Sequence, residues 1–210
     1  LEINPFDHIK VIEKETESRR QLTKKELETV CSRATGEMRY WIAIGIYTGL
    51  RLGDVITLRW DEVNFDAGEI TRIPLKVSRK GERKQITIPI HPVLEKMLQE
   101  LRDKVDPGAT YLFPESAKRY RRERSGVTKP LQDFFESCGI ETTVEPENGH
   151  RRKRIVRVGF HSLRHSFVSL CAAKRVPQSA IMDLVGHGSP AMTAIYTHAD
   201  KALKGRAIKK

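Results

Sequence analysis

The chain predicts an α+β fold, mainly helical with one small antiparallel β-sheet or hairpin, on three observations. A Thr-x-x-Glu capping box at Thr23-Lys24-Lys25-Glu26 opens a series of helical segments. In the middle of the chain Ile86, Ile88 and Ile90 alternate strictly, the period of a half-buried strand. Later on Pro177, Gly186 and Gly188 punctuate a further set of helical stretches.

The elements follow in order. Residues 1–20, Asn4-Pro5-Phe6 and then a polar stretch to Arg20, have little periodicity and read as a linker; with Leu1 in place of Met, the expectation is a piece excised from a longer protein. The capping box starts a helix that runs to about Arg33, and Gly36 breaks it. Residues 37–49 carry Met38, Trp41, Ile42, Ile44 and Ile46, a largely apolar helix suited to the core. Arg51 stands at the junction with a short helix, Asp54–Leu58. Between 63 and 91, Ile70, Ile73 and Leu75 lie on one side of the polar turn Ser78-Arg79-Lys80-Gly81-Glu82, and the alternating isoleucines lie on the other. That is a β-hairpin. Helices are predicted at about 92–104, 115–124 and 128–138, where Leu131, Phe134 and Phe135 supply a buried face. Residues 141–157 read as a polar interruption. Helices at about 162–174, 178–185 and 190–196 complete a domain spanning 21–199, and 200–210 is a basic tail.

At 210 residues the chain suits one domain, long enough to bury roughly 70% of its unfolded surface. Its 38 basic residues against 27 acidic ones give +11. This excess favours a polyanionic partner, nucleic acid first and anionic membrane second; a soluble surface that is merely basic is the plain alternative. Cys31, Cys138 and Cys171 are far apart with no Cys-x-x-Cys pair. That argues against a disulfide framework or a thiolate zinc site and fits a reducing compartment. No apolar run approaches the ~18 residues of a membrane span, and no secretory signal opens the chain.

The chemistry concentrates in His161-Ser162-Leu163-Arg164-His165, Gly186-His187 and Tyr196, with a second arginine far upstream in Thr48-Gly49-Leu50-Arg51-Leu52-Gly53-Asp54. Arginine forks match phosphate oxygens, imidazoles donate hydrogen bonds or move protons near neutral pH, and a phenol can serve as a covalent nucleophile. Each group also has a plainer reading. Arg51 could cap a helix or form a local salt bridge with Asp54, one turn away; Gly49 and Gly53 on either side permit close backbone approach. His161 and His165 are spaced like paired zinc ligands, but Ser162 stands where His-Glu-x-x-His needs its acid, and Arg164 repels a dication, so no metal is expected. Tyr196 could simply pack, and His187 could close a helix. The basic runs Lys118-Arg119-Tyr120-Arg121-Arg122 and His150-Arg151-Arg152-Lys153-Arg154 suit DNA-backbone contacts, or else solvated faces.

Four segments in order, Thr48–Asp54, His161–His165, Leu184-Val185-Gly186-His187 and Ile195-Tyr196-Thr197-His198, resemble the tyrosine recombinases, the phage integrase branch in particular. Arg164 to His187 is 23 residues and His187 to Tyr196 is nine, as that pattern expects. The resemblance covers about Leu22 to Tyr196. It implies a catalytic domain that cuts and rejoins DNA through a 3′-phosphotyrosyl link. Tyr196 would be the nucleophile, Arg51 and Arg164 the phosphate clamp, and His161 and His187 the supporting pair, with His165 beside them and Asp54 in the acidic position that steadies the site. A hairpin lysine would protonate the leaving 5′-hydroxyl; Lys80 is the choice, with Lys76 and Lys84 as alternatives. No cofactor is implied, neither metal nor ATP. The implied partner is double-stranded DNA, on which the full-length protein forms a tetramer, in the cytoplasm of a prokaryotic cell or mobile-element host and without a membrane. The resemblance further implies an N-terminal DNA-clamping domain outside this sequence, to which residues 1–20 are expected to be the linker. A type IB topoisomerase is a rival of related chemistry, disfavoured by the His187–Tyr196 spacing. A DNA-binding module with a dead site is another, disfavoured by the intact set.

Overall fold

Helix α1 (Lys24–Arg33) begins at the predicted capping box: Thr23 Oγ1 accepts from the Glu26 N–H at 3.2 Å, and the Glu26 carboxylate accepts from the Thr23 N–H at 2.8 Å. The computed structural model describes residues 19–75, 85–145 and 154–186. Gly36 opens α2 (Gly36–Thr48) with a φ of 54° instead of merely breaking α1. Residues Tyr40 to Gly45 of α2 are all buried, because this helix is enclosed by its neighbours. It packs against α1, α3 (Leu52–Ile56), α4 (Pro92–Arg102) and α7 (Phe160–Ala173). The approach to α7 is close: a Cβ on Gly45 would fall 2.7 Å from the Phe160 ring.

A 3₁₀ turn (Trp60–Glu62) leads into the sheet, β1 (Val63–Asn64), β2 (Glu69–Arg72) and β3 (Ile86–Pro89), in that order and antiparallel throughout. Val63 pairs with Ile70, Ile70 with Ile88, and Arg72 with Ile86. Ile86, Ile88 and Ile90 are buried, as their alternation predicts. Two expectations change. The hairpin gains a third strand, β1. Ile73 and Leu75 fall outside β2, because Pro74 has no N–H for the ladder and Ile73 is already 37% exposed.

Helix α4 carries proline in its first turn, where the missing N–H costs nothing, and buries Leu94, Leu98 and Leu101. α5 (Pro114–Arg122) and α6 (Ser125–Ser137) follow; α6 starts three residues earlier than predicted and adds Val127 to its buried face of Leu131 and Phe135, while Phe134 is half-buried. The polar interruption is not structureless: β4 (Thr143–Val144) pairs antiparallel with β5 (Ile155–Val156). α7 and α8 (Gln178–Val185) share a small second core of Val168, Ile181 and Val185. The main core, with Ile44, Leu58, Ile88, Leu98, Phe113 and Phe135 all under 2% exposed, joins the sheet to α2 and its neighbours. Among the described residues there are eight α-helices, and none is long and apolar enough to cross a membrane. The predicted turn at 78–82, most of the basic run at 150–154 and the predicted helix at 190–196 lie outside the described residues.

Candidate active site

Helix α2 ends in a left-handed residue, Gly49, at φ 65° and ψ 14°. A side chain there would be strained and would meet the Phe167 ring at 2.7 Å. The turn presents the Gly49 carbonyl to Arg164, whose Nη1 donates to it at 2.7 Å; its Nη2 donates to the Val185 carbonyl at 2.6 Å. Both acceptors sit at helix C-termini, where carbonyls lack intrahelical donors and the dipole is negative. A guanidinium only 4% exposed is thereby satisfied without a carboxylate. Burial first, then repulsion from Arg51, pushes the Arg164 pKa down to about 9, against a pull upward from Asp54. It stays charged at neutral pH.

Arg51 is half-buried at the N-cap of α3. Arg51 is near enough to repel Arg164 electrostatically, and two such guanidiniums stabilise an anion placed between them. His161 and His165 lie one turn apart on α7, with ring centroids 6.3 Å apart. The His161 pKa is pushed down to about 3 by burial first, then by Arg19, Arg164, His165 and Arg51. His165 is lowered by burial first, then by Arg164 and Arg19. His161 is therefore a neutral imidazole at pH 7. The unfolded chain binds its proton near the ordinary value of 6.5 and the folded chain only near 3, so His161 lowers stability as pH falls through that window.

The salt-bridge alternative for Asp54 is realised with a different partner. Asp54, 1% exposed, accepts from the Leu75 N–H at 2.8 Å and from Arg72 Nε at 3.3 Å. Arg72 is itself 4% exposed and also donates to Glu62 Oε2 at 2.7 Å, the Thr57 hydroxyl at 2.7 Å and the Thr57 carbonyl at 3.1 Å. The sequence reading does not single out Arg72. The available signal was period two: Arg72 shares the inward face of β2 with Ile70. Asp54 thus fixes Leu75, from which the chain enters the segment holding Lys76, Lys80 and Lys84. Arg72→Ala strands two carboxylates and is expected to cost about 3–5 kcal/mol, more than Asp54→Asn, which leaves Glu62 in place. Urea unfolding of the two variants checks the order.

Helix α8 ends on Gly186 at φ 63°, and a Cβ there would stand 3.4 Å from Ile86 and 3.6 Å from Pro74. The end of α8 therefore rests on the base of the hairpin. Arg51, His161, Arg164 and His165 thus come within electrostatic reach of one another, with Arg164 bonded to the Val185 carbonyl where α8 meets the hairpin base. Lys80, His187 and Tyr196 lie outside the described residues.

Lys118, Arg119, Arg121 and Arg122 are exposed on α5. Arg121 lies 4.7 Å over the Tyr111 ring and bonds its hydroxyl, and Arg124 lies 5.8 Å from the centre of Tyr120. The Tyr120 ring in turn packs on Gly53, where a Cβ would fall 2.7 Å from its hydroxyl. Between these elements runs a groove of about 450 Å³, lined by Arg59, Arg72, Tyr111, Tyr120, Arg121 and Arg124 among others. Arg59, Arg124 and Tyr111 are additions to the expected set; Arg124 stands just two residues beyond the predicted run, but nothing local marks Arg59, which pairs with Asp61. Arg154 forms an ion pair with Glu145 at 2.9 Å; Arg151, Arg152 and Lys153 lie outside the described residues.

The phage integrase family model matches residues 20–202. The chain is 29% identical over 152 residues to the tyrosine recombinase XerA of Pyrococcus furiosus, covering 71% of this chain and 46% of that protein. It spans about half the length of the curated relatives it matches. Among solved structures, the catalytic domain of bacteriophage HP1 integrase superposes with a TM-score of 0.58 at 19% identity, over 89% of this chain and 95% of that one. The Tn1549 transposon integrase in complex with transposon right end DNA gives 0.67 at 17% identity, over 99% and 72%. At these identities the structures establish the shared fold.

Proposed function

We propose, from the premise that this chain belongs to the phage integrase family, that it is the catalytic domain of a site-specific recombinase acting on double-stranded DNA. The observation that carries this reading is the site around Arg164: a buried guanidinium locked by two helix-end carbonyls, within electrostatic reach of Arg51 and a neutral His161. That arrangement suits a phosphodiester. Tyr196 attacks the phosphorus, its phenolic proton passing to a neutral imidazole of the site, and forms a 3′-phosphotyrosyl bond as the bond to the 5′-oxygen breaks. Lys80 supplies the proton to that oxygen. Arg51 and Arg164 neutralise charge growing on the non-bridging oxygens, and His161, His187 and His165 hold the phosphate and proton inventory in place. The link conserves the phosphodiester energy, so a hydroxyl from a partner duplex can reverse the step without metal or nucleotide.

Lys118, Arg119, Arg121 and Arg122, with Arg151, Arg152, Lys153 and Arg154, contact the DNA backbone. The solved complex of the Tn1549 integrase with DNA supports this partner. Residues 21–199 are the catalytic domain, 1–20 the linker and 200–210 a basic tail. The full-length protein assembles as a tetramer on DNA, in the cytoplasm of its host.

The test is capture on a library of nicked duplexes, in EDTA and without nucleotide. A covalent adduct and strand exchange are expected. Supercoil relaxation without strand exchange would point to type IB topoisomerase activity, and retardation without an adduct to an inactive binding module. Restoration by zinc or magnesium after loss in EDTA would overturn the metal-free chemistry. A 5′-bridging sulfur, which leaves with little protonation, should rescue Lys80→Ala; rescue of Lys76→Ala or Lys84→Ala instead would move the acid to that lysine.

A further inference from the structure

The segment entering α1 is fastened to the helix that carries the site. The Arg20 N–H donates to the Arg157 carbonyl at 3.0 Å, and the Leu22 N–H donates to the buried Ser166 hydroxyl at 3.0 Å. These two anchors lie before the start of α7 and nearly two turns into it, bracketing His161 and His165 in sequence. The Arg20 guanidinium is committed elsewhere, to both oxygens of Glu26 at 2.8 and 2.6 Å. Glu26 also caps α1. The strap is therefore held at Arg20 and at Leu22, and the exposed Arg19 directly precedes the first of these anchors.

From there its charge reaches both histidines: Arg19 helps to hold the pKa values of His161 and His165 down. Among the described residues no carboxylate forms an ion pair with its guanidinium, whereas Arg20, Arg39, Arg59 and Arg72 each have one. An exposed arginine without such a partner, fixed at the rim of a site that already holds two guanidiniums, adds to the field that attracts an anion.

We propose that Arg19 is a third phosphate-binding arginine of this site, carried to a DNA backbone phosphate on the His161 side by the strap pinned to Arg157 and Ser166. The inference rests on the part of the reading above that places a DNA phosphate at this site. It extends that reading, because it makes the chain entering the domain part of the site's grip on DNA. Ser166 then acts as a positioning residue: its hydroxyl fixes Leu22 and, through the strap, Arg19.

Binding to a plain duplex as a function of salt tests this without requiring cleavage. Each phosphate contact contributes about −0.9 to the slope of log affinity against log salt. Arg19→Ala is expected to flatten the slope by about 0.9, and Ser166→Ala by a smaller amount. Lys25→Ala, which removes an exposed cation from α1, is expected to leave it at the parental value. A parental slope in Arg19→Ala, or an equal change in Lys25→Ala, overturns the assignment. A parental slope in Ser166→Ala removes the positioning role of the strap. A chain that shows the Arg19 effect but never forms a covalent adduct refutes the cleavage reading while leaving this phosphate contact standing.

Discussion

Tyr196→Phe is expected to bind duplex DNA as tightly as the parent chain and to form no covalent adduct. The substitution removes one oxygen and keeps the ring, so only the bond to phosphorus is lost. Loss of the nucleophile from a covalent enzyme costs on the order of 10⁶ in rate, which takes the adduct below detection on a denaturing gel. The other four tyrosines of the chain are engaged elsewhere. Tyr40 is buried beneath Arg39, and Tyr47 is stacked on His91 at 4.6 Å. Tyr111 bonds Arg121, and Tyr120 packs on Gly53. A residual adduct whose peptide maps to any of these four would overturn the assignment of Tyr196.

Arg164→Lys is expected to fail twice. Its two donors reach carbonyls on two different helices, at 2.7 and 2.6 Å, and a single ammonium has no planar fork with which to span them. The loosened clamp is expected to slow cleavage by about 10²–10³, the cost of losing one transition-state donor. The unpaired carbonyl is expected to cost about 1–3 kcal/mol in unfolding free energy. Arg51→Lys provides the contrast. Arg51 caps α3 through its backbone and is only half-buried, so its substitution should slow cleavage with little change in the urea midpoint. Near-parental cleavage by Arg164→Lys would remove the clamp from the mechanism.

Much of this molecule was legible from local sequence, because the responsible forces are local. Thr23 and Glu26 satisfy each other's backbone within one turn, Ile86, Ile88 and Ile90 share one face of a strand, and a Gly at 49 or 186 is what a left-handed helix end requires. The spaced boxes around Arg51, Arg164, His187 and Tyr196 carried the resemblance to the family, and the roles proposed for Lys80, His187 and Tyr196 rest on that resemblance. Tertiary structure decided what no window of the chain contains. Asp54 turned out to serve Arg72, 18 residues away, and the hairpin base; Arg164 is satisfied by carbonyls 115 and 21 residues distant; Leu22 is tied to Ser166 across 144 residues. The polar stretch after α6 hides a paired strand for the same reason, since Thr143 finds its partner only at Val156. Whether a charged or polar group can be buried depends on the donors and acceptors that surround it in space, and long-range packing alone assembles those.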